Sequence, residues 1–182
     1  MHFAAVFPAL LSLLAPAAPA IHFVLAEAVA GPVGWTTYTD PMGFTVGYPE
    51  SLVLLPETEA LPDRRPPLVH RVRFLDRELA AGDTAALEPP QFSVEVFAAP
   101  PGPLRSWLEE NGRIPKGAGD EVLEVPGARE ALRIRDPRML APNEFFWYAT
   151  DRHVFLVVAL GSEGESMRKT FRLIGREKGA VR

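Results

Sequence analysis

From Trp35 onward the chain alternates apolar and polar positions in short runs punctuated by proline and glycine, which is the pattern of β-strands joined by turns. Trp35 to Thr39 and Phe44 to Tyr48 predict the two strands of a hairpin, with Asp40-Pro41-Met42-Gly43 as its turn. Pro49 ends the pair, and Ser51 to Leu55 is a further short apolar run stopped by Pro56. Glu57 to Pro67, rich in charge and proline, reads as a solvated loop. In Leu68 to Leu75 the side chains of His70, Val72 and Phe74 point one way and those of Val69, Arg71, Arg73 and Leu75 the other, as in a half-buried strand. Asp76 to Pro90 is a polar connection with room for one helical turn. Gln91 to Ala98 alternates again, setting Phe92, Val94 and Val96 against Ser93 and Glu95.

The period then changes. Pro103 suits a first helical position, because its missing N–H would find no partner there. Leu104, Trp107 and Leu108 at i, i+3 and i+4 form one apolar stripe, and Asn111-Gly112 supplies a left-handed stop. Glu121 to Val125 and Ala128 to Arg135 predict two strands across Pro126-Gly127, and Asp136 to Pro142 a loop. Glu144 to Ala149 and His153 to Leu160 predict a second hairpin across Thr150-Asp151-Arg152. Val154 to Leu160 contains no polar residue, so both faces of that strand require cover. A second helix is expected from Ser162 to about Ile174, opened by the capping box Ser162-Glu163-Gly164-Glu165 and packed through Met167, Phe171 and Ile174. Strands, helix, four strands and helix, linked mostly by hairpins, make the fold class α+β.

Composition adds a compartment and removes several chemistries. Residues 1–26 carry no Asp, Glu, Lys or Arg, although Pro8, Pro16 and Pro19 interrupt the apolar run. Ala28-Val29-Ala30-Gly31 is a small-x-small cleavage pattern, so residues 1–30 read as a signal peptide and residues 31–182 as a single exported domain, periplasmic or extracellular. The alternative is an uncleaved anchor through residues 3–26, the one contact with membrane that the sequence suggests, since the usual basic n-region is missing. Lys plus Arg number 19 against 23 Asp plus Glu, a net charge of −4, which argues against nucleic acid as a partner. Cys 0 excludes a disulfide, a thiolate nucleophile and a cysteine metal site.

Tyr38, a turn, and then Gly43-Phe44-Thr45-Val46-Gly47-Tyr48-Pro49 resemble the opening hairpin of PsbP/Mog1-like proteins and their bacterial exported relatives. The middle helix, closing hairpin and terminal helix are similar to that family's order over roughly residues 35 to 175. The resemblance implies an α/β/α sandwich with a central, mainly antiparallel sheet, and a role as an accessory or binding protein without catalytic residues. It implies no ligand.

Searched for chemistry, the sequence yields little. His70 and His153 are the only histidines beyond the leader, so no HExxH or histidine cluster for a metal exists. No phosphate-cradling glycine loop and no calcium loop is present, and no cofactor is expected. Gly161-Ser162-Glu163-Gly164 lacks the glycine spacing of a nucleophile elbow. Phe145-Phe146-Trp147-Tyr148 puts large rings on both faces of one strand. Either both sets are core, or Phe146 and Tyr148 open into a groove beside a basic patch of Arg71, Arg73, Arg133 and Arg135, residue types enriched at interfaces. The counter-reading pairs those arginines with Glu95, Glu124 and Glu130 across strands. The expectation is a non-enzymatic binding protein whose partner is a protein or small ligand. The competing expectations are a hydrolase with loop-borne residues, using His70 or His153 beside a serine and an aspartate, and a membrane-tethered structural protein.

Overall fold

The computed structural model describes residues 32–57, 66–81, 89–99 and 102–174. The leader, and the expectations placed on it, lie outside these residues, as do residues 82–88 of the 76–90 connection. The alternating runs form β1 (Trp35–Asp40), β2 (Phe44–Pro49), β3 (Leu52–Glu57), β4 (Leu68–Asp76) and β5 (Phe92–Ala98), with a one-turn helix α1 (Arg77–Ala80) after β4. Then come α2 (Leu104–Glu110), β6 (Gly119–Val122), β7 (Glu130–Arg135), β8 (Glu144–Ala149), β9 (His153–Ala159), α3 (Gly161–Thr170) and β10 (Arg172–Leu173). The fold is α+β and dominated by sheet.

Seven strands make one antiparallel sheet in the order β3-β4-β5-β9-β8-β7-β6. β9 lies at its centre, and both faces of its apolar residues Val154 to Val157 are covered. Val154 and Leu156 pack with Trp147, Leu132, Leu104 and Leu108 beneath α2, while Phe155 and Val157 pack with Val94, Phe146 and Met167 on the face carrying α3. Each such side chain contributes about 1.5–3 kcal/mol by leaving water. This is why its buried stretch, Val154 to Val157, holds no polar residue.

The opening hairpin does not join that sheet. β1, β2 and β10 form a separate three-stranded sheet in the order β1-β2-β10, whose Phe44 and Val46 close over Val72, Phe74 and Phe92. The expected single sheet is therefore two, because Phe44 and Val46 bury more apolar surface stacked on the large sheet than strung along its edge.

The second helix also differs from its sequence pattern. α3 starts at Gly161 after Leu160, with no side-chain cap, so the Ser162 capping box does not form. Ser162 lies inside the first turn, and its carbonyl accepts the Ser166 hydroxyl at 2.9 Å. The helix ends at Thr170, where Phe171 turns extended and Arg172 and Leu173 pair with Thr45 and Phe44 of β2. Thr170 fixes that exit: its Oγ1 accepts the Gly47 N–H at 2.8 Å. Pro103 is the N-cap of α2 rather than its first residue, and the β7 side chain Glu130 supplies the missing cap by accepting the Leu104 N–H at 2.9 Å.

Candidate functional site

Strand parity decides the fate of the basic patch. Arg71 pairs in register with Glu95, Glu95 with Leu156, Leu156 with Trp147 and Trp147 with Leu132, so Arg71 and Arg73 share the face beneath α2. Arg133 is the chain neighbour of Leu132 and pairs with Phe146, so Arg133 and Arg135 point to the opposite face. One patch of four arginines is thus ruled out by alternation along two strands. Arg71 approaches Glu95 at 3.9 Å. Arg133 bonds Glu121 and approaches Glu144, while Arg135 bonds Glu144. Glu95 is therefore the partner the sequence suggested, whereas Glu121 and Glu144 stand where Glu124 and Glu130 were expected.

Phe146 and Tyr148 do share the face of Arg133, but as core. They are 3% and 4% exposed. The Arg168 guanidinium lies 4.3 Å from the Phe146 ring centroid, and Tyr148 stacks on Phe171 at 5.3 Å. Burial pushes the Tyr148 hydroxyl up to about 12, against a smaller downward pull from Arg168. No groove opens between these rings.

The buried polar centre is elsewhere. Asp40 ends β1 and His70 sits on the core face of β4; they are 2% and 3% exposed and meet with His70 Nε2 2.9 Å from Asp40 Oδ2. The Tyr38 hydroxyl donates to the same oxygen at 2.7 Å, and the Met42 N–H donates to Oδ1 at 2.7 Å, closing the hairpin turn. Burial first, and then the hydrogen bond and negative charge of Asp40, hold the Tyr38 phenol well above its ordinary range. His70 Nδ1 is buried and meets no polar partner. Tyr38 and Asp40 are two residues apart on one strand and so face the same way, a signal that was present in the sequence. What the sequence lacked was the partner, 30 positions away.

This cluster has the residue types of an acid–base relay but is enclosed between the two sheets. His153 stands apart at the end of the last hairpin, its ring edge-on to Phe155 at 5.9 Å. Among the described residues no group of three or more His, Asp or Glu could hold a metal ion.

At the surface, a shallow cleft of about 260 Å³ lies between α2 and the β6–β7 edge, lined by Arg105, Asp120, Val122, Leu123, Arg129 and Glu130. Arg105 spans it, bonding Asp120 across the gap and Glu109 along its own helix at 3.1 Å. Val122 is 76% exposed beside these ion pairs. A second hollow of about 240 Å³ lies between Pro142 and the start of α3. Its neighbouring loop is pinned by Asp136, which accepts from the Arg138 guanidinium at 2.9 Å twice over and is thereby lowered to about 2. Among the described residues no helix is long and apolar enough to cross a membrane. No family model and no curated protein matches the chain.

Proposed function

We propose that the protein is an exported, non-enzymatic accessory or binding protein of the PsbP/Mog1-like type, its sheet held within an α/β/α sandwich, acting by presenting a surface to another envelope protein or a small ligand. The observation that carries this reading is the placement of the chemically capable side chains. Asp40 and His70 are spent on joining the two sheets, and Phe146 and Tyr148 on filling the space under α3. Exposed at the edge under α2, away from these residues, is a cleft of ion pairs around Val122, which suits contact rather than bond breaking. The order of opening hairpin, middle helix, closing hairpin and terminal helix supports the family resemblance.

The test is purification of the full chain, tagged at its C-terminus, from its own cells. The expected product comes from the envelope or medium, has an N-terminus near Gly31, and carries a co-purifying component that Arg105→Ala, at the exposed cleft, loses at unchanged melting temperature. Recovery of a Met1-bearing protein from the cytosol with no such component overturns the reading. Saturable turnover of an ester, phosphoester or peptide substrate, abolished by His70→Gln, would install the hydrolase alternative instead.

A further inference from the structure

The chain holds two asparagines, Asn111 and Asn143, and only Asn111 precedes a glycine. The backbone nitrogen that follows an asparagine can attack the side-chain amide, and glycine, with no Cβ, leaves that nitrogen unhindered. No heavy atom lies within 4 Å of where a Cβ on Gly112 would stand. The folded end of α2 sets both partners against the reaction. Asn111 has ψ 7°, which eclipses the Gly112 nitrogen with that of Asn111, whereas ring closure needs it beside the Asn111 Cβ. Both nitrogens are also engaged: Asn111 Nδ2 donates to the Trp107 carbonyl at 2.8 Å, and the Gly112 N–H donates to the Glu109 carbonyl at 3.0 Å. Behind them the Arg113 N–H donates to the Leu108 carbonyl at 2.8 Å and closes the turn. This arrangement lasts only while α2 is wound. The helix has 7 residues, too short to persist without packing, and it is held by Leu104 and Leu108 over Trp147 and Leu132.

We propose that Asn111 is a spontaneous modification site, a deamidation joint that the folded end of α2 holds shut and that reacts each time α2 unwinds. In the unwound segment hydroxide removes the Gly112 amide proton, and the nitrogen attacks Cγ of Asn111. The N–Cγ bond forms, the Cγ–Nδ2 bond breaks, and ammonia leaves with a proton from water. Water then opens the five-membered imide at either carbonyl, leaving aspartate or isoaspartate at position 111. The sum is one water consumed and one ammonia released, with no change of oxidation state. Both products spoil the cap. Aspartate lacks the Nδ2 donor to Trp107 and adds a carboxylate beside Glu109 and Glu110, at the negative end of a helix with no basic residue in its last turn. Isoaspartate makes the main chain one atom longer, which carries the Gly112 and Arg113 N–H groups away from Glu109 and Leu108. α2 is one wall of the cleft that Arg105 spans, so a chain that has opened there once is permanently marked with a loosened wall.

The proposal stands whether or not the protein is a binding protein. Its test incubates the full chain and a capped peptide of residues 107–115 side by side at pH 8 and 37 °C, and follows Asn111 by mass spectrometry of digests, with Asn143 as the internal control. The peptide is expected to convert at Asn111, and the folded chain to convert there at least tenfold more slowly while Asn143 stays intact. Because reaction requires opening, the ratio of the two rates should match the hydrogen-exchange protection of the Gly112 amide within about threefold. Glu130→Ala, which frees the first turn of α2, is expected to speed conversion at least threefold. Should that variant fail to fold, urea below the unfolding transition is expected to speed the wild type in the same way. Asn111→Asp, one of the two products, is expected to melt earlier than wild type and to exchange faster at the Asn111 and Arg113 amides. Equal rates in chain and peptide, or a chain far faster than its Gly112 protection allows, would show that the cap does not guard the site. A rate unmoved by Glu130→Ala and by urea, or an Asn111→Asp chain with the wild-type melting temperature and exchange, would overturn the joint as well.

Discussion

Replacing Asp40 by asparagine keeps the shape of the side chain and removes its charge, which isolates what the buried carboxylate contributes. Three donors converge on it: the Tyr38 hydroxyl and the Met42 N–H at 2.7 Å each, and His70 Nε2 at 2.9 Å. The asparagine oxygen can still accept from Met42. Its amide nitrogen would then stand where Oδ2 received both Tyr38 and His70. Tyr38 can rotate its hydroxyl and accept instead. His70 can accept at Nε2 only by moving its proton to Nδ1, which is buried with no polar partner. A buried donor left unsatisfied costs about 1–3 kcal/mol, and the loss of charge assistance in the remaining bonds adds to that. Asp40→Asn is therefore expected to cost about 2–3 kcal/mol, and Asp40→Ala about 3–5 kcal/mol.

Urea unfolding followed by tryptophan fluorescence measures this, since Trp147 is fully buried beneath α2. For a chain of this size the asparagine variant should melt roughly 5–10 °C early. A cycle of Asp40→Ala, His70→Ala and the double variant should give a coupling of about 1–3 kcal/mol, because the second substitution removes the group that the first leaves stranded. An asparagine variant within about 0.5 kcal/mol of wild type, or a coupling near zero, would show that the pair does not hold the two sheets together.

Three further outcomes follow from the packing. A Cβ on Gly164 would stand 2.2 Å from the Gln91 carbonyl oxygen and 3.3 Å from the Ala159 backbone, so Gly164→Ala should push α3 off β5 and β9 and cost about 1–3 kcal/mol by thermal melting, despite the better helix propensity of alanine. Glu130→Ala uncaps α2 and should cost about 1 kcal/mol, with faster amide exchange at Leu104 as its local signature. Asp136 is held at about 2, below its usual 3.8, so its contribution is present above pH 4 and lost as pH falls through 2; Asp136→Asn should melt earlier than wild type at pH 7, and the gap should close between pH 4 and pH 2.

Alternation made most of the large sheet legible, because each strand's buried face is written locally. The set His70, Val72 and Phe74 does point inward, and of the nonpolar run Val154 to Leu160 the residues Val154 to Val157 are buried between covered faces, while Val158, Ala159 and Leu160 are half-buried. Element ends were legible only where the determinant is local. Asn111-Gly112 stops α2 through a Gly112 φ of 64°, as its sequence suggests. Ser162-Glu163-Gly164-Glu165 fails as a cap because Gly161, at φ 69°, already turns the chain into the helix one residue earlier. The arginine patch was misjudged for a different reason. Alternation tells which residues of one strand share a face, but registering β4 against β7 requires the pairing of every strand between them.

The same distinction explains the small sheet. Met167, Phe171 and Ile174 keep helical spacing, yet the helix stops at Thr170 because Arg172 and Leu173 find unpaired backbone on β2, and Thr170 is bonded to Gly47 at a separation of 123 residues. The cover over the Phe74–Phe92 side of the core is thus assembled from the first and the last described strands together, and neither segment carries in its own sequence the reason for its conformation. A lone two-stranded ribbon is only marginally stable. β1 and β2 gain their third strand from β10 and their depth from Phe44 stacking on Phe171 at 5.4 Å, while the Asp40–His70 bond ties the far end of the hairpin to β4. A buried polar pair makes sense at that position: an apolar contact would hold the small sheet at many offsets, whereas three converging hydrogen bonds on one carboxylate hold it at one.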